Sequence, residues 1–264
     1  MVHYNISFAG AGRVAGALCR EMYHSGFKIL QVVSRNADDG KPLAQMCGAM
    51  WSSVLSFDNS NDIIIVAVPD HNLREVISKI KCSENTVIAH TAGSYGLEVF
   101  PSEMTNAGVF YPLQTFSSNR IVSLKDVPFL LEASDSESSE TLRTLAESVN
   151  ARVYFVDAQQ RRILHVAAVF VNNFINHMLT AGKLMATKAE SPFDILTPLI
   201  KETISKALDS GPENSQTGPA VRHDMNTVEK HLELLSFSPE LQRIYNEMTL
   251  CIINYYNNKD NSKQ

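Results

Sequence analysis

The chain has 264 residues, 44% of them hydrophobic and 19% charged, which is typical of a folded protein with one large domain or two ordinary ones. A net charge of -5 excludes the broad basic surface that neutralises nucleic-acid phosphates, so we expect no nucleic-acid partner. The longest apolar run, 163–171, is far shorter than the ~20 residues that cross a bilayer, and no signal-peptide pattern is evident. We therefore expect no membrane association and a cytoplasmic location, and the four singly scattered cysteines predict reduced, mostly buried thiols.

The first half of the chain alternates short β-rich runs with amphipathic stretches, which indicates a parallel sheet covered by helices. The run 63–68 is apolar at every position, so both of its faces should be covered, as in the centre of a doubly wound sheet. The predicted strands are 4–9, 28–33, 62–68, 86–89, 108–111, 127–131 and 152–156.

After Asp157 the apolar residues recur at helical spacing, and 159–188 contains no proline and one glycine, which predicts a long helix. Ser191 and Pro192 are typical of an N-cap and a first helical position. The remaining segments are a helix to about 210, a loop over 211–219, helices over 223–235 and 239–256, and a frayed tail over 257–264. The predicted fold class is α/β, with a Rossmann domain over 1–157 and an all-α domain over 158–264.

A glycine-rich turn follows the first predicted strand and opens a helix. It reads Gly10-Ala11-Gly12-Arg13-Val14-Ala15 and fits the dinucleotide-binding pattern G-x-G-x-x-A. The first glycine permits the tight turn, the second lets the backbone approach a pyrophosphate, and the alanine allows close packing of helix on strand. Glycine-rich turns also join strands to helices with nothing bound, but the context on both sides favours a cofactor site.

The residues at the end of the second strand select between the two nicotinamide dinucleotides. Proteins specific for NAD carry an acid there that accepts hydrogen bonds from the adenosine ribose. This chain has Ser34 and Arg35 instead, and a guanidinium can pair with a 2′-phosphate while a hydroxyl donates to it. The sequence therefore predicts NADP(H), although Arg35 could also be an ordinary solvated loop residue.

Two further turns should border the nicotinamide half of the cofactor, because ligands of such sheets bind beyond the carboxyl ends of the strands. Val68 and Pro69 close the central strand, and Thr91, Gly93 and Ser94 follow the next one. Thr91 and Ser94 are candidate hydrogen-bonding residues, although each could simply serve the turn.

Six strings of sequence are distinctive in combination: 9–15, 67–69, 90–94, 111–116, 165–168 with 172–174, and 217–224. Together they resemble the Rossmann-like proteins that carry the domain of unknown function 2520, over nearly the whole chain. That family looks like a branch of the superfamily of pyrroline-5-carboxylate reductase, ketopantoate reductase, 6-phosphogluconate dehydrogenase and deazaflavin-dependent NADP oxidoreductases.

The resemblance implies an all-α C-terminal domain like that of 6-phosphogluconate dehydrogenase, a homodimer formed through its helices, and a cleft between the two domains. It implies no particular substrate. Two residues depart from the family pattern, because Tyr111 stands where the family carries His, and His223 where Gly is commoner.

The long helix carries polar residues at a spacing that suggests catalysis. On a regular helix His165, Asn172 and Asn176 lie within about 20° of one direction. His165 could protonate a carbonyl or imine as hydride arrives from the nicotinamide, with Asn172 holding the substrate. The alternative is a core histidine satisfied by its neighbours.

A second candidate cluster follows the loop 217–219. Arg222 could clamp a substrate carboxylate, and Asp224 could orient Arg222 or His165. Alternatively Asp224 caps the next helix and Arg222 forms a surface pair. Arg161 and Arg162 could be no more than a solvated face.

These observations predict an NADP(H)-dependent oxidoreductase acting on a small, anionic carbonyl or imine compound between the domains, with no metal. The alternative is a non-catalytic NADP(H)-binding protein that senses the redox state of the cofactor.

Overall fold

A computed structural model describes residues 4–117, 120 and 122–261. An eight-stranded sheet has the order β3-β2-β1-β4-β5-β6-β7-β8, and every neighbouring pair is parallel except β6 with β7. The strands are β1 Asn5–Ala9, β2 Lys28–Val33, β3 Met50–Ser52, β4 Ile63–Val66, β5 Val87–His90, β6 Ala107–Pro112, β7 Pro128–Ala133 and β8 Arg152–Phe155.

The predicted doubly wound sheet is confirmed, since the first six strands have the Rossmann order β3-β2-β1-β4-β5-β6. All four residues of β4 are fully buried, because helices cover both faces of the central strand, as its unbroken apolar run predicts. The prediction missed β3, which has only three residues and pairs only with β2 at the sheet edge, too short to show a periodic pattern.

Helices connect the strands of this sheet on both faces. In chain order they are α1 Arg13–His24, α2 Ala37–Met46, α3 Leu73–Lys79 and α4 Ser136–Ser148, with 3-10 turns at Asp70–Asn72 and Leu97–Val99. The buried side of α1, which includes Ala15 and Leu18, packs with β1 and β2 in the larger apolar core. All four cysteines are free thiols, but only Cys19 and Cys47 are buried.

The chain divides into two compact units, Met1–Phe174 and Ile175–Gln264. The predicted domain boundary at 157/158 lies earlier, at the junction where β8 gives way to α5 Ala158–Ala168. Helix α5 belongs with the sheet because Arg161, at its first turn, is completely buried and pairs with Glu132 of β7. The sequence pattern therefore identified where the C-terminal helices begin. The contacts of α5 place this helix in the first unit.

Helices are the only regular secondary structure in the described residues of the second unit. After a π-helical segment Val169–Phe174 come α6 Ile175–Lys188, a 3-10 turn Phe193–Leu196, α7 Thr197–Ser210, α8 Pro212–Ser215, α9 Met225–Leu234 and α10 Pro239–Asn261. The predicted cap at Ser191 is wrong, because Pro192 precedes a 3-10 turn and α7 begins only at Thr197. The predicted loop 211–219 contains α8, and the predicted frayed tail is helical through Asn261, whereas 262–264 lie outside the described residues.

The helical run Ala158–Lys188 spans 31 residues and contains an 18-residue window with a mean hydropathy of 1.3, so by length and composition alone it could cross a membrane. No single apolar stretch of the sequence indicated this, because polar residues such as Asn172 and Asn173 interrupt the run. One helix of this kind also occurs in proteins that do not cross membranes.

Candidate active site

The turn from β1 to α1 has the geometry that a dinucleotide pyrophosphate requires. Gly10 adopts φ +115°, and a Cβ there would overlap the carbonyl oxygen of Ala67 after β4. Gly12 is the N-cap of α1, has no side-chain cap hydrogen bond, and has nothing within 4 Å of where a Cβ would stand. Gly12 has no side chain that could accept hydrogen bonds from the first N–H groups of the helix. These groups can therefore bind an anion, and the absence of a side chain leaves space for it.

A cavity of about 300 Å³ opens beside this turn, at the point where the strand order reverses between β1 and β4. Of the predicted cofactor residues, Gly10, Ala11, Gly12, Ser34, Arg35 and Val68 line it. Its other walls include the apolar side chains Val33, Leu55 and Val76. An apolar slot at this switch point suits an adenine ring.

The hydroxyl of Ser34, a predicted cofactor residue that lines this cavity, forms hydrogen bonds with the rest of the protein. It donates to the carbonyl of Asn36 (2.8 Å) and accepts from the indole N–H of Trp51 (3.1 Å). Any Cβ on Gly40 would overlap this pair. Ser34 therefore fixes the loop that carries the exposed Arg35, which leaves the guanidinium as the charged group suited to a 2′-phosphate.

The sequence prediction missed several polar residues of this cavity, among them Asn72, Glu75 and Lys79. Lys79 Nζ lies 2.6 Å from Glu75 Oε1, and the hydrogen bond from Lys79 holds the pKa of Glu75 below its usual range, with a smaller contribution from the charge of Arg35. The helical spacing of 72, 75 and 79 just after the central strand was the signal that could have found them.

The turn after β5 is built around a buried histidine. His90 Nδ1 accepts from the N–H of Ala92 and Nε2 lies 3.2 Å from the carbonyl of Gly96. Burial lowers the pKa of His90 to about 4, so the ring is neutral. Thr91 continues the sheet through an N–H bond to the carbonyl of Val66.

The other predicted residues of these two turns have backbone roles in the structure. The carbonyl of Pro69 accepts from the N–H of Asn72, and that of Ser94 accepts from Arg162 Nε. Gly93 is buried, and a Cβ there would lie 2.7 Å from His165 Nδ1. Gly93 therefore makes room for the histidine.

A second cavity of about 520 Å³ lies within the first unit, beyond the carboxyl end of β6. It brings together four predicted site residues, Arg13, Val14, His165 and Asn172. His165 Nδ1 lies 2.9 Å from the phenol oxygen of Tyr111. The remaining lining residues are Leu113, Gln114, Thr115, Phe116, Leu164, Ala167, Ala168, Val169, Val171 and Asn173.

The predicted polar stripe depended on a regular α-helix from His165 to Asn176. The π-helical segment Val169–Phe174 interrupts that regularity, and a π turn changes the rotation by about one residue. Asn172 remains in the cavity lining, whereas Asn176 belongs to the second unit, where its carbonyl accepts from the hydroxyl of Thr180.

Arg161 and Arg162 are structural residues rather than a solvated face. Arg161 donates to the carbonyl of Tyr95 and lies 2.7 Å from Glu132. Arg162 pairs with Glu98 at 3.1 Å and also reaches the carbonyl of Ser94. Both hold the turn after β5 against α5.

The second predicted cluster follows the capping alternative. Asp224 is the N-cap of α9, and hydrogen bonds from the hydroxyl and N–H of Thr227 hold the pKa of its carboxyl below the usual range. Arg222 is exposed. His223 adopts φ +55°, a backbone conformation that favours glycine and accounts for the family pattern at this position. Among the residues with described positions, no group of three His, Cys, Asp or Glu side chains could hold a metal ion.

The sheet order, the uncapped glycine turn and the two cavities define a dinucleotide-binding protein of the Rossmann class. Residues 5–93 match the family model described as NADP oxidoreductase, coenzyme F420-dependent, and residues 127–252 match that of the domain of unknown function DUF2520. No curated protein matches the chain.

The solved structures include a Bacteroides fragilis protein assigned as an NADP oxidoreductase. It is 36% identical, with a TM-score of 0.86, and the match covers 96% of this chain and 98% of that one. The chain belongs to this family, in which a Rossmann-type NADP oxidoreductase domain precedes a DUF2520 domain. The predicted family and NADP as the family's cofactor are thereby confirmed.

More distant structures share the fold alone. A Thermotoga maritima protein is 20% identical, with a TM-score of 0.70 over 97% of this chain and 99% of that one. An imine reductase from a Pseudomonas species is 14% identical, also with a TM-score of 0.70, over 99% and 95%.

Proposed function

We propose that this protein is an NADP(H)-dependent oxidoreductase that reduces a small, anionic carbonyl or imine compound in the cavity of about 520 Å³. The observation that carries the proposal is the placement of His165. Its Nδ1 contacts Tyr111, and no protein group among the described residues hydrogen-bonds to its Nε2. A titratable nitrogen with no hydrogen-bond partner in the described part of the chain, in a cavity beyond the carboxyl ends of the strands, suits proton transfer to a substrate.

The residues present fit the cofactor. The β1–α1 turn would hold the pyrophosphate, the apolar slot the adenine and Arg35 the 2′-phosphate. A bound NADPH would supply the hydride for reduction of the substrate carbon.

The protein's own residues would deliver the proton that completes the reduction. Protonated His165 donates from Nε2 to the carbonyl oxygen or imine nitrogen, and the neutral ring recovers its proton from solvent. The amide of Asn172 would orient the substrate within the same cavity.

The charge of the cavity supports an anionic substrate. Arg13 contributes a positive charge, and none of the residues that line the described cavity is Asp or Glu. An anion is favoured by such a lining, and a cation is not. The fold shared with imine reductases keeps imines beside carbonyl compounds as candidate substrates.

The test is NADPH oxidation by purified protein with a panel of keto acids, imines and aldehydes. We expect His165→Gln to lower kcat by about 100-fold or more, the range of general acid catalysis, and Asn172→Ala to lower kcat less. His177→Gln, a histidine of α6, is the matched control. Asn176→Ala tests the stripe predicted for a regular helix and should retain turnover.

NADPH affinity is measured separately through the emission of Trp51, the single tryptophan, whose indole nitrogen lies 3.1 Å from Ser34. His165→Gln should leave this affinity unchanged. Full turnover by that variant would overturn the mechanism. Binding of NADPH without oxidation of any substrate would instead favour the redox-sensing alternative.

We also propose that the protein is a homodimer formed through the C-terminal helices. Within 175–261 the only apolar side chains buried in the chain are Ala186, Ala220, Val228 and Leu235, far too few for a helical unit of this length. Large apolar side chains on its surface include Ile195, Leu199, Ile204, Leu208, Met225, Leu234, Phe237, Met248 and Leu250. A second copy of the chain would cover them.

Sedimentation equilibrium tests this proposal. The protein should sediment as a dimer, and the double variant Leu199→Asp with Leu208→Asp should dissociate more readily than Lys201→Asp, which changes a charge on the same helix. A monomer at micromolar concentration would contradict it.

We propose a cytoplasmic location, since the run Ala158–Lys188 carries the buried, ion-paired Arg161 and the candidate catalytic His165, which a bilayer would exclude. Recovery of the protein from the membrane fraction of lysed cells would contradict this.

A further inference from the structure

Tyr111 and His165 are 54 residues apart in sequence but form one unit in the structure. The phenol oxygen of Tyr111, at the end of β6, lies 2.9 Å from Nδ1 of His165 in α5. Their rings also meet edge to face, with centroids 5.8 Å apart and an interplanar angle of 70°. Two contacts of different kinds therefore fix the imidazole, one directional and one steric.

A third element closes around the pair. A Cβ on Gly93, in the turn after β5, would lie 2.7 Å from His165 Nδ1 and 2.9 Å from Cζ of Tyr111. The two rings therefore pack directly against backbone, and α5 is held to this turn by Arg161 and Arg162. The position of the imidazole is set by three separate parts of the sheet domain.

We propose that Tyr111 is a positioning residue for His165, whose oxygen accepts a hydrogen bond from Nδ1–H and so keeps Nε2 as the nitrogen that exchanges protons with the substrate. This inference rests on the proposed function. A ring held in this tautomer gains and loses its proton at Nε2 without breaking the contact with Tyr111. If the phenol donated to Nδ1 instead, the neutral ring would carry its proton on Nε2. Nε2 would then have no lone pair with which to accept a proton.

The surroundings favour a neutral phenol over a phenolate. Burial, with a smaller contribution from the charge of Asp70, raises the pKa of Tyr111. The lining of the described cavity includes the positively charged Arg13 and no Asp or Glu. A neutral oxygen orients the imidazole as a carboxylate does in a hydrolase triad, but without adding a negative charge beside an anionic substrate.

The test compares Tyr111→Phe, which keeps the aromatic ring and removes the hydroxyl, with Tyr111→His, which restores a hydrogen-bonding group. Tyr154→Phe, an exposed tyrosine on β8, is the matched control. We expect Tyr111→Phe to lower kcat by about 10- to 100-fold, as loss of orientation does, with unchanged NADPH affinity. Tyr111→His should recover part of the loss, and Tyr154→Phe should behave as the parent protein.

A second readout does not depend on turnover. Nitrogen NMR of the His165 ring, assigned by its loss in His165→Gln, should show the neutral ring protonated on Nδ1 in the parent protein and a mixture of tautomers in Tyr111→Phe. The same tautomer in both proteins, or a neutral ring protonated on Nε2 in the parent, would overturn the role of Tyr111 while the proposed function stands. Full turnover by His165→Gln would overturn the proposed function and this inference with it.

Discussion

The two cavities of the sheet domain differ in how they are assembled. The smaller one is lined largely by residues that directly follow β1, β2 and β4, or lie on α3, and its shape follows from a local glycine pattern. The larger one depends on contacts between β6, the turn after β5 and α5, including a hydrogen bond across 54 residues of sequence.

This difference shows which features of a dinucleotide-binding protein are local. A cofactor is common to many proteins, and one turn with a helix N-terminus can bind its phosphates. A reacting centre requires side chains from several elements at defined distances. Three substitutions and one change of pH test this contrast.

Gly10→Ala should be the most damaging change to the cofactor cavity. Alanine at φ +115° is strained, and its Cβ would overlap the carbonyl of Ala67, so we expect a loss of about 3 kcal/mol of stability or more and loss of NADPH binding. Urea unfolding and Trp51 emission measure the two effects. Gly16→Ala, where a Cβ would meet nothing within 4 Å, is the control and should be tolerated. Intact binding by Gly10→Ala would show that the turn is not the phosphate site.

Gly93→Ala should separate the two cavities. Its Cβ would displace the ring of His165 from its contact with Tyr111. A displacement of about 1 Å costs about 100-fold in turnover. NADPH affinity should change little, because Gly93 does not line the cofactor cavity. Gly182→Ala, with 3.7 Å to the side chain of Leu196, is the control. Equal losses of kcat and of affinity would contradict the separation.

The turn that carries Gly93 should weaken in acid. The unfolded chain protonates His90 near its ordinary pKa of 6.5, whereas the buried ring has a pKa of about 4. Between these values the unfolded state binds more protons, so the contribution of His90 to the free energy of unfolding falls as pH falls, by roughly 3 kcal/mol in total.

Urea unfolding between pH 4 and 7 measures this dependence. His90→Gln should be less stable at neutral pH but should lose less stability in acid, while the exposed His71→Gln should keep the parent slope. Identical slopes for His90→Gln and the parent would remove His90 as the cause.

Arg35→Ala tests whether the cofactor cavity binds the 2′-phosphate, and we expect the smallest effect from it. Loss of charged hydrogen bonds to a 2′-phosphate should weaken NADPH binding by about 2 kcal/mol, or ~30-fold, and leave NADH binding unchanged. Arg152→Ala, which removes only a surface pair with Asp126, is the control. Equal weakening of both dinucleotides would mean that Arg35 does not contact the extra phosphate.

The predicted elements show the same contrast between local and distant causes. The order of strands and helices in the first half followed from periodicity, and the strand 28–33 was predicted residue for residue. The helix stop and start signals of the second half were less reliable, since Pro192 precedes a 3-10 turn rather than α7. Propensity is a weak constraint where packing selects among several helical geometries.

The Rossmann sheet and the cofactor turn could be predicted from local patterns, because strand periodicity and the demand for glycine at Gly10 are local properties of the chain. Three features are evident only in the folded chain: Tyr111 contacts His165, Arg161 is buried, and Asn172 lies in a π segment that departs from the spacing of a regular helix. Those arrangements depend on the packing of side chains from distant segments of the chain, and local sequence patterns do not reveal such contacts.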